Sequence, residues 1–313
     1  MRAVQRSVFS ARPCCRGHSY FRRGHAAHMH GKRTSYEPLW NEAYRVAGDS
    51  TLAGVLAQAR ADERRLVEST PQVCSDDILQ QLVAQDVVAA QLLAHDGSLT
   101  MEEFAESCLS LRDGESTPKD RMLLRERARV AAHLASGAHL PHGVDSLCRL
   151  WEESVRGEMR IYEDGPGRLR TPGDHVPFSY RSYLFDVRPV PPELETVPAA
   201  SVPAETDVLL EYLHDEVVPC EVRAFVTHWL VFRIHPFIDG NGRTARMLAS
   251  SLLAQHYSLA TCMAFVCVVQ QRFFELCRLE EQAGLDGEGL AAVIRYDADY
   301  LLAAQQLARE WNA

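Results

Sequence analysis

The stretch Ile234-His235-Pro236-Phe237-Ile238-Asp239-Gly240-Asn241-Gly242-Arg243-Thr244-Ala245-Arg246 joins two segments of helical periodicity. The segment before it, Val222 to Ile234, carries Phe225, Trp229 and Phe232 in an apolar body that predicts a largely buried helix. Pro236 disfavours helical backbone at the preceding residue, so His235 is expected at the helix end with its imidazole in a fixed orientation. Gly240, Asn241 and Gly242 readily accept positive φ, which lets the chain turn successive N–H groups toward one point. A helix starting near Arg243 would add the positive end of its dipole to that point.

Arg243 and Arg246 lie three apart on the first turn of that helix, where two cations are unfavourable for the dipole. An anion between them supplies the compensation, and a polyphosphate carries enough charge for both guanidiniums. Asp239 would repel a bare phosphate at the rim of this cradle but could share a Mg²⁺ with two phosphate groups. His235, with an ordinary pKa of about 6.5, is suited to take the proton of an incoming hydroxyl as it attacks phosphorus. The loop thus holds a base, a metal ligand and an anion cradle.

These residues resemble the Fic family signature His-x-Phe-x-(Asp/Glu)-Gly-Asn-Gly-Arg-x-x-Arg, with every fixed position matched. Eight specified positions, at a few per cent each, arise by accident in a chain of this length with odds on the order of 10⁻⁸. The resemblance covers about Asp145 to Leu302 and implies an all-α Fic-type helical core, a small β-hairpin flap and an N-terminal helical extension. It also implies a protein adenylyltransferase that moves AMP from ATP to a Ser, Thr or Tyr hydroxyl of a target protein and releases pyrophosphate. In that reading His235 is the general base and Asp239 binds Mg²⁺. Asn241 and the Gly240 and Gly242 backbone hold the α- and β-phosphates. Arg243 and Arg246 take the β- and γ-phosphates, and Phe237 packs inward to anchor the loop.

The Fic-like kinases have Lys where this chain has Gly242, so the resemblance favours AMP as the group transferred. A noncatalytic nucleotide-binding adaptor, a Fic enzyme that transfers another phosphate-containing group, and one that removes AMP are the alternatives. Many Fic proteins also carry an inhibitory helix with a (Ser/Thr)-x-x-x-Glu-(Gly/Asn) pattern whose Glu engages the second motif arginine. No complete copy occurs here. Ser98 to Glu102 matches in part, but Glu103 follows, and Thr100 to Glu103 already reads as a capping box. Restraint by a variant helix or by a separate partner, or none at all, are the readings left.

Composition bounds the rest. The 313 residues, 46% hydrophobic and 24% charged, supply enough apolar material for a sizeable core. The net charge of -9 conceals an asymmetry: residues 1–36 hold eight Arg or Lys and no acid, so the body carries -9 - 8 = -17. An acidic body disfavours a nucleic-acid partner and confines any phosphate site to a local cradle. The basic, Ser-containing leader has the composition of a mitochondrial transit peptide, so a mitochondrial location is one expectation and a cytoplasmic one the other.

Nine scattered cysteines without a CxxC pair read as reduced core residues and argue against a structural zinc. The longest uncharged apolar run, Ala260 to Val269, is too short to cross a bilayer, so no membrane partner is expected. Oligomeric state is not encoded legibly.

From Tyr36 onward the helical period dominates. Helices are predicted over 51–67, 75–94, 100–111, 119–135, 145–156, 205–214, 221–234, 243–256, 264–283 and 289–310. Between Gly157 and Pro192 the period is lost, and Ser179 to Val187 leans toward a hairpin or flap. The divisions expected are a leader over 1–36, an N-terminal helical region over 37–144 and a Fic domain over 145–313. His228 reads as a packed histidine, and His139, His142 and Cys148 are poorly spaced for a metal.

Overall fold

A computed structural model of the chain describes residues 37–69, 118–137, 139–155, 167–174, 196–272, 279 and 289–311. Within them the backbone forms α1 (Glu37–Ala47), α2 (Ser50–Ser69), α3 (Pro118–Ala135), α4 (Val144–Val155), α5 (Val202–Leu213), α6 (Cys220–Ile234), α7 (Asn241–Leu253), α8 (Leu259–Gln271) and α9 (Leu290–Trp311). A 3₁₀ turn, Ala199–Ser201, precedes α5. Among the described residues every regular element is a helix, the all-α class expected. The helices expected at 75–94 and 100–111, the flap at 179–187 and the leader lie outside the described residues.

All fifteen residues of α6 are buried, including Phe225, Trp229 and Phe232. A helix buried on every side needs neighbours all around it. It packs most extensively on α7, then on α5, α9 and α1, while α9 also bridges α8 and α2. The helix stops at Ile234 because Pro236 forbids its continuation, and His235 takes φ 50° and ψ 60°. It is the one non-glycine with positive φ among the described residues.

Several starts differ from the sequence reading for local reasons. Helix α8 begins at Leu259, because the Ser258 hydroxyl caps it by accepting from the Thr261 N–H at 3.3 Å. Asp49 does the same for α2, accepting from the N–H groups of Thr51 and Leu52 at 2.8 and 3.1 Å. Helix α1 is an addition that the periodicity after Tyr36 did not resolve. It contributes Trp40, whose indole donates to the buried Glu205 of α5 at 2.9 Å.

Buried polar ties bind α2 to the helices around the site. Arg60 donates to both oxygens of Glu221 at 2.6 Å, and the Tyr257 hydroxyl donates to the same carboxylate at 2.8 Å. Glu63 accepts from the Ser258 N–H at 2.7 Å, the Thr261 hydroxyl at 2.8 Å and the Gln305 amide at 3.0 Å. Each carboxylate is matched by donors, which is the condition for burying charge without a large cost. Cys148, Cys220, Cys262 and Cys267 are buried and unpaired as thiols, as reduced core residues are.

Candidate active site

The site is built where α6 ends and α7 begins. His235 donates its N–H to the Val231 carbonyl at 2.9 Å, then leaves the helix in the left-handed conformation. Its side chain is neither fully buried nor fully exposed. Burial, with the Arg170 guanidinium as a nearby like charge, pulls the imidazole down to about 4, against a hydrogen bond with the Phe232 backbone that favours protonation. A neutral imidazole near neutral pH is the form that accepts a proton.

Asn241 closes the loop between His235 and α7. Its amide oxygen accepts from the Phe237 N–H at 3.0 Å and its amide nitrogen donates to the Phe237 carbonyl at 2.8 Å. The Asn241 side chain therefore holds the loop, which leaves phosphate contact to backbone N–H groups rather than to this amide. Phe237 is 1% exposed and stacks on Trp151 of α4, ring centroids 5.2 Å apart. The Trp151 indole N–H donates to the Asp239 carbonyl at 2.7 Å, so α4 braces the loop from a second side.

Gly240 sits at φ 79°, and a Cβ there would lie 2.5 Å from Val155 and 2.8 Å from the Trp151 nitrogen. Only glycine meets both requirements. Gly242 differs from expectation: α7 starts at Asn241, so Gly242 is helical, and its value is space. A Cβ would stand 3.2 Å from the Phe232 ring and 3.4 Å from the Arg246 guanidinium.

Arg243 and Arg246 are both 8% exposed, on one turn of α7. Arg243 faces Asp239 at 3.5 Å. Arg246 donates from Nε and Nη2 to the two oxygens of Glu126 on α3, the second contact at 3.1 Å. The two cations at this helix start, expected to await an external anion, are thus already answered by carboxylates of the chain. Burial pulls Arg243 down to about 10, opposed by Glu126 and reinforced by Arg129 and Arg246 as like-charged neighbours. Burial pushes Glu126 up, but Arg246, Arg243 and a hydrogen bond from Gln270 outweigh it and hold the carboxyl below its ordinary value.

Arg129, one turn beyond Glu126 on α3, is 4% exposed and donates to the Ser154 carbonyl of α4 at 2.9 Å. Helix α3 is fastened further by Arg127 to Gln270 at 2.8 Å. His133 lies between Glu153 and Ser251, at 3.1 Å from each.

Asp239 is the residue suited to a divalent ion. Its side chain is 37% exposed at the mouth of the cradle, and Oδ1 accepts from the Gly240 N–H at 2.5 Å. A single oriented carboxylate with room for phosphate oxygens and water fits Mg²⁺, which keeps several waters and takes one or two protein oxygens. Among the described residues no group of three or more His, Cys, Asp or Glu forms a metal cage.

The seven other residues singled out in the signature thus lie on one loop and one helix turn with Asp239. Three partners of the site were not read from sequence: Glu126, Arg170 and Trp151. Met122-Leu-Leu-Arg-Glu126-Arg127 has neither the Ser or Thr nor the Gly or Asn of the inhibitory pattern. His228 is buried, edge-on to Phe232 at 5.3 Å, as a packed histidine is.

Residues 158–253 match the family model described as Fic/DOC family. The fold is similar to a Fic family protein from Desulfovibrio desulfuricans, with a TM-score of 0.53 at 19% identity, covering 84% of this chain and 74% of that one. A Fic domain containing signaling protein from Bacteroides thetaiotaomicron also matches, with a TM-score of 0.47 at 16% identity, over 82% of this chain and 97% of that one. No curated protein matches the chain significantly.

Proposed function

Proceeding from a chain that carries a Fic domain, we propose that it transfers AMP from ATP to a Ser, Thr or Tyr hydroxyl of a target protein. Fic domains commonly move nucleoside monophosphates onto proteins. The observation that carries the reading is the joining, on one braced loop, of a neutral imidazole at the end of α6 to two guanidiniums at the start of α7.

In the reaction the target oxygen attacks the α-phosphorus in line with the bond to pyrophosphate. As the new O–P bond forms, His235 takes the hydroxyl proton, and the bond from the α-phosphorus to the bridging oxygen breaks. Backbone N–H groups at the start of α7 face the charge that develops. Arg243 and Arg246 orient the β- and γ-phosphates and offset the charge of the departing pyrophosphate. Mg²⁺, held through Asp239, would neutralise phosphate charge. Gly242 supports AMP rather than phosphate as the group moved, since the Fic-like kinases carry Lys at this position; here a side chain would also press on Phe232 and Arg246.

Glu126 gives this reading a resting state. Its carboxylate occupies Arg246, the cation assigned to the γ-phosphate, so a productively bound triphosphate has to displace it. The arrangement supports one of the three readings left open by the sequence, restraint by a variant of the inhibitory helix, with α3 as that helix.

Incubation of the chain with α-labelled ATP and Mg²⁺ is expected to label the chain itself or a lysate protein, with an adenylate as the mass added. His235→Ala should remove about 10²- to 10⁴-fold of the rate. Labelling that survives this substitution undiminished rejects the base, and a phosphate or phosphocholine mass rejects the donor.

A further inference from the structure

We propose that Arg170 is the positioning residue for the base: its guanidinium gathers the carbonyls where α6 ends and holds His235 in the backbone conformation that aims the imidazole. The proposal rests on the reading of His235 as general base.

A helix end leaves its last carbonyls without intrahelical donors, and a left-handed non-glycine residue is strained by about 1–3 kcal/mol unless its surroundings impose it. Arg170 answers both demands. Its Nε donates to the His235 carbonyl at 2.6 Å, and Nη2 donates to the Ile234 carbonyl at 3.1 Å and also to that of Val197. Its own backbone N–H donates to the Pro236 carbonyl at 2.8 Å. Three consecutive carbonyls, 234 to 236, are therefore tied to one residue.

The side chain is 6% exposed and has no carboxylate among these hydrogen bonds. Its hydrogen bonds go to carbonyls alone; the opposing charge that acts on it, Asp174, is itself held by Arg168, while burial pulls the guanidinium below its ordinary value. A planar fork of five N–H donors reaches several carbonyls at once, which an ammonium does not.

The turn that presents Arg170 is itself braced. Arg168 pairs with both oxygens of Asp174 at 2.6 and 2.7 Å, and the Thr171 N–H donates to Asp174 at 2.6 Å. Arg170 thus comes to the site as a rigid part of the loop preceding it.

Its charge serves the base as well. Burial, and after it the Arg170 charge, opposes protonation of His235, against the hydrogen bond with the Phe232 backbone. On the other elements of the site, Asp239 and Arg243 face one another, Arg246 pairs with Glu126, and Arg129 meets the end of α4. Arg233, on α6 itself, lies over Trp229.

The test uses the full chain with α-labelled ATP and self-labelling, comparing the natural residue with Arg170→Gln and Arg170→Lys across pH. His235 is followed in parallel by NMR of ¹³C-labelled histidine, assigned through His235→Gln. Arg170→Gln should lower kcat about 10- to 100-fold with KM for ATP within about twofold, because the base is misaimed while the phosphate cradle is intact. Its His235 midpoint should rise toward 6.5. Arg170→Lys should restore the midpoint but not kcat, since it keeps the charge and loses the fork. Should Arg170→Gln fail to fold, the Lys variant decides alone: natural kcat in it overturns the proposal. Unchanged kcat and midpoint in Arg170→Gln overturn it too. Absence of labelling by the natural chain strikes the transferase reading instead, and the backbone ¹³C shifts of His235, which report its left-handed conformation, then decide: shifts unchanged in both Arg170→Gln and Arg170→Lys overturn the positioning role.

Discussion

Glu126 on α3 and Arg246 on α7 meet as a buried two-point ion pair, 120 positions apart in sequence. Removing one member of a buried pair leaves the other charge uncompensated, at a cost of about 3–5 kcal/mol. Glu126→Gly is therefore expected to lower the melting temperature while raising the rate of AMP transfer at least about tenfold, the equivalent of 1.4 kcal/mol. ATP should raise the melting temperature more in Glu126→Gly than in the natural chain, because the γ-phosphate replaces the lost carboxylate. Equal ATP shifts in the two proteins would refute the competition.

The His235 environment sets the acid limb of the rate. With Glu126→Gly as the active form, kcat/KM should stay level as pH falls through 6.5 and drop only toward about 4. The stability sign follows from the same shift. The unfolded chain binds this proton near 6.5 and the folded chain only near 4, so acidification across that window destabilises the fold, and above it His235 contributes no pH dependence. Denaturant midpoints of the natural chain and His235→Gln, compared between pH 4 and 7, measure the difference.

Two glycine substitutions should act in opposite directions. Gly240→Ala places a methyl 2.5 Å from Val155 at a positive φ and is expected to cost at least about 1–3 kcal/mol, along with most of the activity. Gly54→Ala, on the exposed face of α2 with no atom within 4 Å, should instead stabilise by about 0.4–1 kcal/mol. Urea denaturation of the two variants gives both values.

Trp151→Phe keeps an aromatic ring near Phe237, deletes the donor to the Asp239 carbonyl and leaves part of the buried indole volume unfilled. Loss of the hydrogen bond should cost about 1 kcal/mol, and the volume left unfilled adds to that. Because that carbonyl belongs to the residue suited to Mg²⁺, the Mg²⁺ concentration for half-maximal labelling should rise, while His235 titrates as before.

What was legible in the sequence was local. Between His235 and Arg246 the base, the acid, the glycines and the two arginines could be tied to tasks by residue type and spacing, and Phe237 by the family resemblance, while the Asn241 side chain turned out to hold the loop. The helices over 118–135, 220–234 and 290–311 followed from periodicity within a residue or two. The misses came from interactions that spacing does not encode. Glu126 reaches the site only because α3 folds against α7 and α8, and its flanking Met122 and Arg127 hide it from the inhibitory pattern. Arg170 lies in a stretch rich in Gly and Pro with no motif to single it out, and its three carbonyl partners come together only in the folded turn. Helix α7 gained Asn241 and Gly242 because the Asn241 amide bonds back to Phe237, a contact that only the finished turn allows.

The attachment of α3 has a thermodynamic corollary. If, as proposed, carboxylate and triphosphate exclude each other at Arg246, the measured dissociation constant for ATP equals the intrinsic one divided by the fraction of molecules in which α3 is released. Linkage makes the relation reciprocal: any ligand or protein that draws α3 off the Arg127, Arg129 and His133 contacts tightens ATP by the same factor by which ATP loosens α3. In the proposed reaction the nucleotide is thereby both reactant and effector, and sensitivity to ATP concentration would be set by how firmly one helix is seated.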